Sequence, residues 1–136
     1  METKLAPRGI RNNNPLNIIH SGAKWLGLAD VQPDKTFCKF ISMAYGIRAA
    51  VKILRSYDKK GFRTVSAIIK RWCPDNTAPA YVQRVCKETG WDDTKVVNVF
   101  NRVEVKALLS AMTKVECANY VLDDTDFIKA FSMLTW

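Results

Sequence analysis

The sequence predicts a mainly α fold, an α+β domain of about five or six helices with a small β-hairpin region near residues 15–41. Three observations carry this. From Ser42 onward the apolar residues recur with helical spacing. Before Ser42 they come in short bursts split by turn-forming segments. The chain has 136 residues and is 48% hydrophobic, enough to bury one core, so residues 1–136 are expected to form a single domain.

Residues 1–14 carry no periodic pattern and are expected to be irregular. In "NPLNIIHSGAKWLGLADVQPDKTFCKF" the segments "HSGAK" and "DVQPDK" separate apolar bursts, the pattern of two short strands or a loose hairpin. The period then changes. Ile47, Ala50, Val51, Leu54 and Tyr57 share one helical face, with Ser42 as N-cap and Gly61 as the stop. A second helix starts from Thr64, turns Val65, Ile68, Ile69 and Trp72 inward, and halts at "CPDN". A third opens near Thr77 and Pro79, uses Tyr81, Val82, Val85 and Cys86, and ends at Gly90. A fourth begins around Asp92 or Asp93 and sets Val105, Leu108, Leu109, Met112 and Val115 in one stripe. A short last helix, "DTDFIKAFSML", is capped by Asp124 or Thr125.

Net charge is +8 and unevenly placed. Residues 1–87 hold 16 Lys/Arg against 5 Asp/Glu, whereas residues 88–136 hold 5 against 8. A basic half of this kind suits an anionic partner, either a nucleic acid or a cell-wall polymer, or is simply a solvated surface. Arg48, Lys52, Arg55 and Lys59 fall on one face of the first long helix, which keeps a nucleic-acid partner open. No apolar run is long enough to span a membrane, and "METKLAPRG" lacks the apolar core of a Sec signal. The chain is thus expected to be made in the cytoplasm. It would reach a cell wall only by lysis, a dedicated export machine or carriage in a virion.

At "RGIRNNNPLNI", "KWLG" and "DKTFCKFISMAYGIRAAVKIL" the sequence resembles a family of phage and prophage proteins, often virion structural proteins, that carry a lysozyme-like domain. The likeness continues through "TVSAIIKRWCPDN", "AYVQRVCKETGW" and "ALLSAMTKVE" and so covers most of the chain. A more distant similarity is to glucosaminidases of the autolysin and flagellar type. It runs through Asn13–Asn14 to Ile18, then Trp25–Leu26–Gly27, Phe37 to Phe40, Ser42 and the following helix. Both resemblances imply a lysozyme-like domain directed at peptidoglycan, with no cofactor and no metal. The activity they imply is cleavage of the β-1,4 glycan strand by a muramidase, glucosaminidase or lytic transglycosylase.

The chain departs from these relatives at the catalytic acid. Glucosaminidases keep it on a helix well before the Asn-Asn turn, where this chain has only Glu2. A glycosidase needs a carboxyl with a raised pKa to protonate the leaving oxygen. Asp75, beside Trp72 and Pro74, is one candidate; its alternative is a turn or cap residue in "PDNT". Asp34 is the other, placed where lysozyme-like folds often keep an auxiliary carboxylate; its alternative is a turn acid in "PDK". Glu116, within a helix among apolar neighbours, is either a buried acid or a structural hydrogen-bonding group.

Saccharides are held by amide and guanidinium arms backed by aromatic faces. Arg11, Asn12, Asn13, Tyr45, Asn76 and Tyr81 are the candidate substrate-binding residues, with Trp25 and Trp72 as further ring faces. The alternative for the asparagines is that they knit a loop to the core. The lysozyme-like reading requires Arg11, Asn13, Tyr45, Asp75, Asn76 and Tyr81 to open onto one groove. Three functions therefore compete: a peptidoglycan glycosidase, a non-catalytic wall-binding or virion protein associated with other virion or secretion components, and a nucleic-acid binder.

The four cysteines, Cys38, Cys73, Cys86 and Cys117, form no CxxC pair, and His20 is the sole histidine. The spacing does not suit zinc, and each cysteine sits in an apolar, periodic context suited to a buried thiol. All four are expected to react with a thiol reagent in denaturant without reductant; fewer would reveal a disulfide.

Overall fold

The computed structural model describes residues 5–136. Six helices follow one another: α1 (Arg8–Arg11), α2 (Met43–Lys59), α3 (Val65–Trp72), α4 (Ala78–Thr89), α5 (Arg102–Glu116) and α6 (Asp124–Ser132). The fold is mainly α, as the periodicity requires. α2 packs on α6 and α5, while α4 packs on α5 and α3. The inward stripe of α2 (Ile47, Ala50, Val51 and Leu54) is fully buried, as are Val65, Ile68 and Ile69 of α3. Val105, Leu108, Leu109 and Met112 of α5 complete the centre. Each large aliphatic side chain buried in this way contributes roughly 2 kcal/mol of transfer free energy.

Several helix ends follow local chemistry. The Thr64 hydroxyl accepts the Ala67 N–H at 3.1 Å and starts α3. Gly90, at φ +75°, closes α4 in the left-handed region, and Gly61 lies just beyond α2 at φ +93°. The start of α6 lies one residue before the expected cap: the Asp123 carboxylate accepts the Thr125 N–H at 2.8 Å.

Two other expectations are corrected. Residues 8–11 are not irregular but form the single turn α1, closed by the Pro7 carbonyl, which accepts from Ile10 and Arg11. Residues 92–100 are not helical, and α5 begins only at Arg102. The carbonyls of Asp93 and Lys95 accept the Ser66 and Val65 N–H groups at the start of α3, and Thr64 bridges Val96. A helix through 92–97 would withdraw those acceptors. Buried Val97 and Val99 alternate with exposed neighbours, a period of two. Asn101 then caps α5 by accepting from Glu104 N, while Glu104 Oε1 accepts from Asn98 N.

The expected loose hairpin is present as isolated antiparallel bridges at Ile19–Phe37 and Leu28–Phe40, with backbone bonds from Cys38 N to Ile18 O and from Ala29 N to Lys39 O. Side-chain amides occupy positions a strand ladder would use. Gln32 donates to the carbonyls of Ala29 and Lys39 and accepts from Lys39 N at 2.8 Å. Asn14 does the same for Ile18 and Cys38.

Gly46 lets this loop system meet α2. A methyl there would collide with the carbonyl oxygen of Asn13 and press on the Pro15 ring. Since the obstacle is backbone, it cannot rotate away. Gly46→Ala is expected to destabilise the protein by about 2 kcal/mol despite its better helix propensity. A urea-denaturation midpoint at or above that of the parent would contradict this packing.

Candidate functional site

The Asn-rich turn folds back between α2, the 18–41 loop and the end of α5. Asn14 is fully buried and saturated: its Nδ2 donates to the carbonyls of Ile18 (3.0 Å) and Cys38 (2.9 Å), and its Oδ1 accepts from Ile18 N at 2.9 Å. Asn13 and Asn17 both adopt φ +52°, a left-handed conformation that asparagine tolerates better than most residues. Asn13 Nδ2 donates to the Phe40 carbonyl. Gly9 must lack a side chain here, because a Cβ would lie 2.6 Å from Asn17 Oδ1 and 2.7 Å from Cys117 Sγ.

Asp34 anchors the other edge. Arg8 grips its carboxylate with two nitrogens at 2.5 and 2.7 Å, Asn12 Nδ2 donates at 3.1 Å, and the Thr36 and Phe37 N–H groups donate to Oδ1. The Arg8 guanidinium and then the Phe37 amide hold this carboxyl well below the usual carboxylate range. Asp34 is therefore an ionised clamp with its lone pairs in use, which is opposite to what a general acid requires. Asp75 also differs from the acid the sequence suggested. It is exposed on the turn after α3, and its Oδ1 accepts from Thr77 Oγ1 (2.5 Å) and Thr77 N (2.8 Å). The Thr77 hydroxyl, then its amide, lowers the Asp75 pKa. Trp72 does not desolvate it.

The raised carboxyl is Glu116, at the last turn of α5. Desolvation raises its pKa, against two hydrogen bonds that lower it. Asn17 Nδ2 donates to Oε1 at 3.0 Å and Tyr81 Oη donates to Oε2 at 2.9 Å. Asn17 also donates to the Glu116 carbonyl at 3.2 Å. Tyr81 is only 5% exposed, and burial, then the charge of Glu116, pushes its pKa well up. Each Glu116 oxygen thus accepts a hydrogen bond from within the protein, and the residue is half-buried.

The six residues expected in one groove are dispersed. Arg11 and Asn12 line a cavity with Arg8, Pro33, Asp34 and Lys35. Asp75 and Asn76 line a second one, beside Lys70, Cys73 and Pro79. Tyr81 borders a third, between α4 and the end of α5. Asn12 is buried and Asn13 is tied to the loop, so their amides serve the fold instead of an open binding face. Tyr45 is half-buried, its ring lying against Gly27, which takes φ +80° to clear it. Arg11 and Asn76 remain exposed. Two of the aromatic residues do come together: Trp25 and Trp72 face a cleft of about 250 Å3 with Asn17, Ile53 and Tyr57.

No protein-family model matches this chain. Protein P5 of Pseudoalteromonas phage PM2 is 38% identical over 117 residues, an alignment that covers 82% of this chain and 71% of the phage protein.

The two carboxyls make opposite pH predictions. Glu116 has a raised folded-state pKa, so its stabilising contribution is complete below about pH 4 and is lost as pH rises through the raised value. Asp34 has a lowered one, so its contribution is complete above about pH 4 and is lost as pH falls. In urea titrations from about pH 2 to pH 8, Glu116→Gln should gain stability relative to the parent as pH rises. Asp34→Asn should be least stable, relative to the parent, at neutral pH. The same pH dependence in both variants would contradict these assignments.

Proposed function

Because the chain belongs to the family of Protein P5 of Pseudoalteromonas phage PM2, we propose that it is a non-catalytic phage virion component whose partners are other virion proteins. The family tie is the observation that carries this reading. The carboxyls support its non-catalytic half. Asp34 and Asp75 are held ionised by their hydrogen-bond donors, and Glu116, the carboxyl with a raised pKa, has both oxygens engaged. Glycan cleavage needs a protonated acid within hydrogen-bonding reach of the bridging oxygen and open to it.

Two measurements test the proposal. Mass spectrometry of gradient-purified particles from cells carrying the gene should find the chain at constant stoichiometry to the other particle proteins. Its absence from particles would overturn the virion role. The purified protein should leave the turbidity of peptidoglycan sacculi at the buffer rate. Clearing that Asp34→Asn, Asp75→Asn or Glu116→Gln abolishes while the variant stays folded would restore the glycosidase reading.

A further inference from the structure

Arg55, on the face of α2 that looks toward the start of α5, lies over two aromatic rings. Its Cζ is 4.3 Å from the Phe100 ring centroid and 4.7 Å from that of Trp136. Arg102, the first residue of α5, approaches the same Trp136 ring at 5.1 Å. Neither arginine forms an ion pair with any carboxylate among the described residues. Arg55 Nε donates to the Val99 carbonyl at 3.3 Å, but its Nη2 is buried with no hydrogen-bond partner. Burial lowers the Arg55 pKa. A half-buried guanidinium with an N–H left over and no carboxylate partner suits an anion.

Arg102 also begins an adjoining groove between α5 and α6. Lys106, ion-paired with Asp124, lines that groove with Phe127 and Phe131, and the Phe131 ring contacts Trp136 at 4.7 Å between centroids. Cations, exposed ring surface and an apolar groove are therefore contiguous. Phe100 is 53% exposed, which leaves ring surface open beside the two guanidinium groups.

We infer that the Arg55–Phe100–Trp136–Arg102 cluster is a binding site for single-stranded nucleic acid, with the arginines on a phosphodiester and an unpaired base against Phe100 or in the α5–α6 groove. Planar guanidinium groups suit a phosphate's paired oxygens, and aromatic rings stack on bases of any sequence. A duplex would offer the phosphate without the base face. The site goes beyond the proposed virion role and does not depend on it.

Fluorescence anisotropy of a labelled oligothymidylate about twelve nucleotides long, titrated at several salt concentrations, tests the site. Arg102→Gln should weaken binding about tenfold and flatten the salt slope by about 0.7. Phe100→Ala should weaken binding at least about fivefold, through the lost stack, with the slope unchanged. Lys87→Gln, an exposed change on α4, should cost less than about twofold, and melting curves should show all variants folded. Equal losses at Lys87 and Arg102 would reduce the effect to general charge and overturn the site. Absence of parental binding at low salt, a preference for duplex, or retention on anionic vesicles that Arg102→Gln abolishes equally would also overturn it.

Discussion

A buried amide left without partners costs a few kcal/mol, and Asn14 is the place where this constraint shapes the molecule. Its side chain has no access to water, so the chain around it must supply two acceptors and a donor. Ile18 and Cys38 do so, which brings together segments about twenty residues apart. Once they are joined, the 18–41 loop needs few ladder bonds of its own. Asn12 and Asn13 extend the same logic outward, Asn12 to Asp34 and Asn13 to the Phe40 carbonyl. Asn17 carries it across to the end of α5. Four asparagines in six residues thus serve as side-chain hydrogen-bonding groups where a sheet would use backbone.

Close packing makes this possible. Gly9 admits Asn17 and Cys117, and Gly46 admits the Asn13 carbonyl against α2. Cys117 Sγ lies 3.3 Å from the Pro15 carbonyl, and Trp72 Nε1 donates to Leu16 O at the same distance. The turn is held from the sides by α3 and α5, far along the chain. Its polar character therefore reflects the cost of burying backbone groups, and reading it as a set of ligand-binding arms mistakes where the amides point.

The carboxyls show the same dependence on surroundings. Asp34 and Glu116 are both acceptors of several hydrogen bonds, yet their pKa values move in opposite directions. For Asp34 a guanidinium and two backbone amides outweigh desolvation. For Glu116 the donors are a neutral amide and a neutral phenol, and desolvation prevails. The sign is set by the balance of donors against burial: exposed Asp75 is lowered by the Thr77 hydroxyl and amide, with no cation needed. Basic side chains differ likewise: Arg8 and Lys106 have both a carboxylate partner and an aromatic ring, whereas Arg55 and Arg102 have rings without a carboxylate.

The residues alone determined the helical class, the inward faces of α2, α3 and α4, and the stops at Gly61 and Gly90. Those features depend on neighbours three or four positions away and on the left-handed freedom of glycine. The start of α5 was also legible in part: Asn101 and Glu104 have capping-box spacing, but the apolar pattern suggested an earlier beginning. What tertiary structure decided is everything that depends on a distant partner. Residues 92–97 stay out of a helix because the start of α3 needs the carbonyls of Asp93 and Lys95. In the 18–41 segment the antiparallel bridges stay isolated, and Asn14 and Gln32 add side-chain bonds to the carbonyls of Cys38 and Lys39. Asp34 meets Arg8 across 26 residues, and Glu116 meets Asn17 across 99. A carboxyl's proton affinity is a property of what surrounds it, and sequence spacing carries no record of that.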